Sequence, residues 1–283
     1  MKRLVFILVI TMCSLVANGY NYIDVTKTGS GENLIIITGV GGSTFWSEAI
    51  KDISQKYTCH IVSIKGISGD KCKLAPDKNL IGNEILEYMR VNKIKNPNIM
   101  GHSVGGNAVL ETVLISPGAF SKIILVDSYP CNMSMGIVSV TEQMRKSQSE
   151  NFSGYLNSLN DENFLKFWEM MSKGFFRDSL KQKIFLKIVA DSERSSLTKI
   201  QSAVISEDLR PELIKISSPV MVLCAGESFK QLLLPEDELT QRINNQFSQV
   251  KKYEMYINMK SKHFIMSDEK DWFTDKVLTF LSK

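Results

Sequence analysis

The sequence predicts an α/β protein with a mostly parallel central sheet flanked by helices and a helical cap inserted into it. Three observations carry this expectation. Short runs that are apolar at every position alternate with longer stretches of helical period, and such runs suit strands buried on both faces of a parallel sheet. The alternation stops over residues 128–205, where helix-like segments follow one another without a strand, and it resumes at Pro219. The apolar runs also end abruptly in turn-forming or acidic residues, at Gly39, Gly101 and Asp127. Those positions are the carboxyl ends of the strands, where ligands bind in sheets of this kind.

Taken in order, residues 34–37 (Leu34-Ile35-Ile36-Ile37) form the first such run. Helix-like sequence follows at 46–55, then a strand at 59–64. Residues 80–91 read as a helix, with Ile81, Ile85 and Met89 on one face. A short strand at 98–100 runs into Gly101, and the helix after Val104 carries Ala108, Val109, Val113 and Leu114. The run at 123–126 is a strand that ends at Asp127. Within the insertion, 142–149, 163–173 and 179–189 are helix-like. Beyond it come a strand at 219–225, a helix at 236–247, a strand at 253–257 and a closing helix at 271–281. The expected organisation is a core of 20–127 and 206–283 with a cap of 128–205. No repeat with a period of roughly 20–50 residues interrupts this order.

Length and composition fit one large domain. The chain has 283 residues, 43% hydrophobic and 23% charged, and a formal charge of +4. Lys2 and Arg3 supply two of those charges, and no basic cluster interleaved with aromatics points to nucleic acid. Residues 1–19 read as a signal peptide: Lys2-Arg3, an apolar stretch from Leu4 to Val16, and Ala17-Asn18-Gly19 before the cut. The stretch is shorter than the roughly 20 residues of a spanning helix, so export to the periplasm or medium without stable membrane insertion is expected. Met12 before Cys13 fits a lipoprotein site poorly. Of the remaining cysteines, Cys59 and Cys224 fall in apolar runs that suit buried thiols. A Cys59–Cys72 bridge stays open as an alternative, and the state of Cys131 is undetermined. No cysteine or histidine spacing suggests a metal.

Gly101-His102-Ser103-Val104-Gly105 is a G-x-S-x-G sequence between a strand and a helix. That context is the nucleophile elbow, a turn so sharp that glycines must flank the serine. Serine needs a base to become a nucleophile. His60 lies within a strand, and His102 adjoins Ser103 so that its side chain is expected to point elsewhere. His263, in the loop before the last helix, is left as the base. The oxyanion donors are expected to be the N–H groups of Val104 and of Val40, in the turn Gly39-Val40-Gly41-Gly42-Ser43. The acid is Asp127, with Glu227 as rival and Asp208 third. In the insertion, Met133, Met135, Phe164, Phe167, Trp168 and Met171 either line an apolar acyl pocket or form the insertion's own core.

These features resemble the α/β-hydrolase superfamily over nearly the whole mature chain. The resemblance rests on residues 39–43, 101–105 and 263–266, with Trp272-Phe273 after them. Residues 126–130, 142–145 and 208–211 resemble a subgroup of exported bacterial hydrolases. The resemblance implies a Ser-His-acid triad, a cap and no cofactor. The chain departs from the usual pattern in lacking an aspartate after the penultimate strand. Some lipases and dehalogenases of the superfamily carry the acid after an earlier strand, which favours Asp127.

The expected activity is hydrolysis of a small or medium apolar carboxylic ester through an acyl-enzyme. A small-molecule ester or amide is the expected partner, and no metal is required. An aminopeptidase of the same fold would need a cap carboxylate for the substrate amine, with Glu150, Asp161, Glu162 and Glu169 as candidates. A non-catalytic binding protein is the third reading. Oligomeric state is not legible.

Overall fold

The computed structural model describes residues 19–74, 79–137, 139–232 and 234–283. Apart from Gly19, the expected signal peptide lies outside the described residues. Seven strands make one sheet: β1 (Ile23–Thr28), β2 (Glu32–Ile37), β3 (Tyr57–Ile64), β4 (Asn98–His102), β5 (Ile123–Val126), β6 (Val220–Ala225) and β7 (Tyr253–Asn258). Their order is β1-β3-β2-β4-β5-β6-β7. Every pairing is parallel except β1 with β3. β4, β5 and β6 are buried at every position, which is why their sequences are apolar apart from Asn98 and His102 at the two ends of β4.

β1 escapes the sequence reading for a physical reason. As an edge strand it buries Ile23 and Val25 while Asp24, Thr26 and Lys27 face outward, so no continuous apolar run marks it. The helices before the insertion are α1 (Ser47–Ile53), entered through a 3-10 turn over Gly42–Trp46, α2 (Leu80–Val91) and α3 (Val104–Ile115). Between β5 and β6 come α4 (Met133–Gly136), α5 (Glu142–Ser158), α6 (Asp161–Phe175), α7 (Ser179–Asp191) and α8 (Arg194–Ser206). α9 (Glu236–Gln246), α10 (Ile265–Asp268) and α11 (Lys270–Ser282) complete the chain.

Side-chain caps start three of the five helices between β5 and β6. Thr141 accepts from Met144 N (3.2 Å), Asn160 from Asn163 N (2.8 Å) and Asp178 from Leu180 N (2.7 Å). α5 runs well past the predicted end at 149. Its second half carries Gly154 and several Ser and Asn residues of low helix propensity. Contact with α8 compensates, as in Ser149 Oγ to the Ser202 carbonyl at 2.7 Å and the fully buried Leu156. α8 itself is a helix the sequence reading did not single out.

Hydrogen bonds tie the insertion to the core, at two of its corners among other places. At the α7–α8 corner, the loop after β3 binds it through Glu193 N to Gly66 O (2.8 Å), Ser196 Oγ to Cys72 O (2.8 Å) and Lys71 Nζ to Ser192 O (2.7 Å). At the α6–α7 turn, Lys262 Nζ donates to Lys173 O (2.7 Å) and Lys181 Nζ to Ser267 O (2.7 Å). Among the described residues no helix is long and apolar enough to cross a membrane.

Cys59, Cys72, Cys131 and Cys224 are all free thiols. A Cys59–Cys72 bridge is thereby ruled out: Cys59 is fully buried in β3, while Cys72 sits in the loop beyond it with its sulfur on Asn21 O at 3.5 Å. Burial pushes the Cys59 thiol up to about 12.

His60 is a structural histidine of β3. Its Nδ1 meets the Tyr88 hydroxyl at 2.7 Å and its Nε2 meets Asn33 Oδ1 at 2.8 Å. Burial, then the Lys27 charge, lowers its pKa from 6.5 to about 4. Between those two values the unfolded chain binds a proton that the folded chain does not. Stability is therefore full above about pH 6.5 and falls as pH drops towards 4. In urea titrations from about pH 7 to pH 4.5, the wild type should lose on the order of 2–3 kcal/mol more than His60→Gln. Parallel pH profiles for the two proteins would contradict this assignment.

Candidate active site

Four chain segments converge at the carboxyl edge of the sheet: the turn after β2, the β4–α3 junction, the end of β5 and the loop between β7 and α10. At the β4–α3 junction Ser103 has φ 55° and ψ −129°, a strained conformation for a side-chain-bearing residue. Its neighbours impose this. A Cβ on Gly101 would lie 2.3 Å from the Gly105 carbonyl oxygen, and one on Gly105 would lie 2.4 Å from the Ile37 carbonyl oxygen. α3 therefore presses against β4 and β2, and Ser103 is left at the crest of the turn, its N–H bonded to Val126 O at 3.0 Å.

Asp127 follows β5 with φ 43°, a left-handed conformation that aspartate tolerates. Its N–H donates to Leu223 O at 2.7 Å. Oδ1 accepts from Ala225 N (3.0 Å) and from the Tyr129 hydroxyl (3.0 Å). Oδ2 accepts from His263 Nδ1 at 2.6 Å. Burial and the Asp127 charge push the Tyr129 phenol well above its usual range, so it remains a donor. With Nδ1 donating to the carboxylate, Nε2 of neutral His263 carries the lone pair.

His102 corrects the sequence reading. Its ring does not point away; it is fully buried and packs against His263, with ring centroids 4.5 Å apart. His102 Nε2 donates to the His263 carbonyl at 3.0 Å. Burial, then the neighbouring His263, holds the His102 pKa well below its usual value, which keeps that ring neutral. The Phe175 ring also lies 4.9 Å from that of His263. His263 is thus held through its backbone carbonyl, its Nδ1 and two ring neighbours.

The rival acids are engaged elsewhere. Glu227 sits in the turn after β6 and pairs with Arg177 of the α6–α7 turn, 2.9 Å from Nε. Asp208 takes both Arg210 Nε (2.8 Å) and Arg210 NH2 (2.7 Å), with Arg145 NH1 at 3.3 Å.

Ser103, His102 and His263 face one small cavity together with Val40 and Phe264. From the insertion, Trp168, Phe175, Phe185 and Gln201 roof it. Its volume is about 10 Å³, room for about one water molecule. Among the described residues no hydrogen bond joins Ser103 Oγ to His263, and the main-chain N–H groups of Val40 and Val104 have no partner. Triad contacts commonly tighten only when substrate is bound.

Of the insertion residues considered for an acyl pocket, Trp168 alone lines this cavity. Met135 and Phe164 are buried in the hydrophobic core. Phe175, Phe185 and Gln201 were missed because the helical period marks an inner face without saying which inner residues lie over the serine. The cap carboxylates considered for an amine do not line the cavity. Asp161 pairs with Arg194, Glu162 with Lys166 and Glu169 with Lys173. Among the described residues no group of three His, Cys, Asp or Glu could hold a metal ion.

The family model for the alpha/beta hydrolase fold matches residues 32–276. The "Putative carbamate hydrolase RutD" of Caulobacter sp. (strain K31) is 24% identical over 102 residues, 35% of this chain and 38% of that protein. The pimeloyl-[acyl-carrier protein] methyl ester esterase of Aliivibrio fischeri (strain MJ11) is 29% identical over 104 residues, 36% of this chain and 39% of that protein. The matches thus span less than half the length of these curated relatives. Among solved structures, the esterase EaEST of Exiguobacterium antarcticum superposes with a TM-score of 0.73 at 18% identity, over 95% of this chain and 98% of that one. At such identity the likeness speaks for the fold.

The elbow predicts a contrast between two glycines. Gly105→Ala should destabilise the protein by on the order of 3 kcal/mol or more, because its methyl meets backbone that cannot give way. Gly154→Ala, in α5 with nothing within 4 Å, should stabilise it by about 0.5–1 kcal/mol. Thermal unfolding of the two variants beside the wild type checks both signs.

Proposed function

The chain belongs to the α/β-hydrolase fold family, and on that premise we propose that it is a serine hydrolase that cleaves a small or medium, largely apolar carboxylic ester through an acyl-enzyme. The observation that carries the reading is the 2.6 Å hydrogen bond from His263 Nδ1 to Asp127, with His263 and Ser103 on one cavity. The esterase and carbamate hydrolase names among the relatives support carbonyl-directed hydrolysis.

In this proposal Ser103 Oγ attacks the ester carbonyl while His263 Nε2 takes its proton. The N–H groups of Val40 and Val104, without other partners among the described residues, stabilise the oxyanion. The tetrahedral intermediate collapses, His263 returns the proton to the departing alcohol, and Ser103 retains the acyl group. Water then attacks the acyl-enzyme with His263 again as base, which releases the carboxylic acid and restores Ser103. Asp127 holds the imidazole in the tautomer with Nε2 free and stabilises the imidazolium that forms. No step calls for a cofactor. The absence of a carboxylate from the described cavity lining weighs against an aminopeptidase. Residues 1–19 support export of the mature enzyme to the periplasm or medium.

Labelling of the purified protein by a fluorophosphonate probe tests the nucleophile. The wild type should label and Ser103→Ala should not. His263→Ala should label more slowly by roughly 10³-fold or more. Equal labelling of wild type and Ser103→Ala would place the nucleophile elsewhere. Failure of the wild type to label would favour a non-catalytic binding protein.

A further inference from the structure

Asp127 has one donor more than are needed to satisfy its two oxygens. Ala225 N already meets Oδ1 at 3.0 Å, and His263 Nδ1 meets Oδ2 at 2.6 Å. The Tyr129 hydroxyl adds a further donor, also on Oδ1 and also at 3.0 Å. A phenylalanine would fill the same space, since the Tyr129 ring is 3% exposed and packs edge-to-face with Phe229 at 5.8 Å. The hydroxyl is aimed by its surroundings. Asn107 Nδ2, on α3 behind the elbow, donates to Tyr129 O at 3.3 Å, and Leu209 N donates to Pro130 O at 2.9 Å. The buried Cys224 thiol of β6 adjoins the hydroxyl, and burial keeps that thiol protonated. A carboxylate only accepts, so the phenol donates to it. A charge-assisted bond of this kind, in a site shut off from water, draws negative charge towards Oδ1 and leaves less on Oδ2, which faces His263.

We propose that Tyr129 is a positioning residue: by donating to Oδ1 it sets how much negative charge Asp127 presents to His263 through Oδ2, and so how tightly His263 holds the proton it takes from Ser103. The catalytic consequence rests on the Ser103 hydrolase reading, whereas the chain from Tyr129 through Asp127 to His263 belongs to the fold whatever the substrate. Tyr129 lies at the start of the insertion, so the segment that leaves the sheet there carries part of the site. The groups packed against the His263 ring are Asp127 from the end of β5, His102 from the end of β4, Phe175 from α6 and the adjacent Phe264. Burial keeps His102 neutral. The nearby charges are engaged elsewhere. Lys262 Nζ donates to Lys173 O, Asp268 accepts from Lys262 N at 3.1 Å, and Arg177 pairs with Glu227. Asp127 is thus the charged group bonded to the imidazole among the described residues, and Tyr129 acts on it directly.

The test removes the donor and, separately, strengthens it. Tyr129→Phe removes it, and 3-fluorotyrosine in place of Tyr129 is a stronger donor of nearly the same size. The first readout needs no turnover. In Ser103→Ala protein, the His263 Nδ1–H resonance, assigned by its loss in His263→Gln, should move downfield with Tyr129→Phe and upfield with 3-fluorotyrosine, because a proton shared with a stronger acceptor is less shielded. The second readout keeps Ser103. The ratio of kcat/KM for p-nitrophenyl acetate at about pH 6 to that at about pH 8 should fall about two- to threefold in Tyr129→Phe, because a more tightly held proton must leave His263 before it can act as base. A tyrosine that only fills space would alter stability and leave both readouts where they are. Opposite displacements of the stated signs uphold the inference, and any other pattern, an unmoved resonance included, overturns it. Should Tyr129→Phe fail to fold, the 3-fluorotyrosine protein decides alone by the same sign. The expected displacements in a protein that hydrolyses no ester would uphold the role of Tyr129 and defeat the hydrolase reading. Ester turnover lost in Ser103→Ala, with the resonance unmoved by either change at Tyr129, would do the reverse.

Discussion

A carboxylate withdrawn from water costs several kcal/mol unless donors replace the solvent. Asp127, with 4% of its side chain exposed, sits in a shell of such donors. Ala225 N comes from the end of β6, the Tyr129 hydroxyl from the start of the insertion, and His263 Nδ1 from the loop after β7. Its own N–H is bonded to β6 through Leu223 O. One side chain thereby fixes where β5 ends, where the insertion leaves the sheet and where the last loop returns. The left-handed backbone at Asp127 is maintained because these contacts over-determine it.

The second constraint is close packing at the elbow. α3 lies so near β4 and β2 that two glycines have no room for a Cβ, and Ser103 takes the strain. His102, the residue before it, turns this packing into an orientation. It donates to the His263 carbonyl and packs against the imidazole, so Ser103 and His263 are registered against each other through adjacent residues of one turn. The insertion closes over this pair. Its aromatic underside leaves a cavity of only about 10 Å³, so any molecule larger than water must displace part of the roof to reach Ser103. The α7–α8 corner is tied to the loop after β3, and the α6–α7 turn to the loop before α10, each by one main-chain bond and by side-chain bonds that include lysines.

Much of this was legible in the sequence because burial on both faces leaves little freedom of composition. The runs at 34–37, 98–100 and 123–126 could be read as strands, and G-x-S-x-G in its strand–helix context located Ser103 at the turn. Asp127 and His263 could be proposed from chain order, but their contact depends on β5 and β7 being brought to the same edge with β6 between them. β1 stayed hidden because an edge strand needs only alternate apolar residues. α8 stayed hidden because its stability comes from α5 and from the loop after β3. His102 was misread because adjacency in sequence says nothing about ring direction at a strained turn. Gln201 carries no local signal at all; its significance is purely positional.

The proposed mechanism depends on which carboxylate serves His263. The most direct measurement is kcat on p-nitrophenyl acetate for Asp127→Asn and Glu227→Gln beside the wild type. Asp127→Asn should keep the fold and lose roughly 10⁴-fold in kcat, because the imidazole is no longer held in the tautomer the reaction needs. Glu227→Gln loosens only the contact with Arg177 and should remain within about tenfold of the wild type. Full turnover in Asp127→Asn, with turnover lost in Glu227→Gln, would contradict the account.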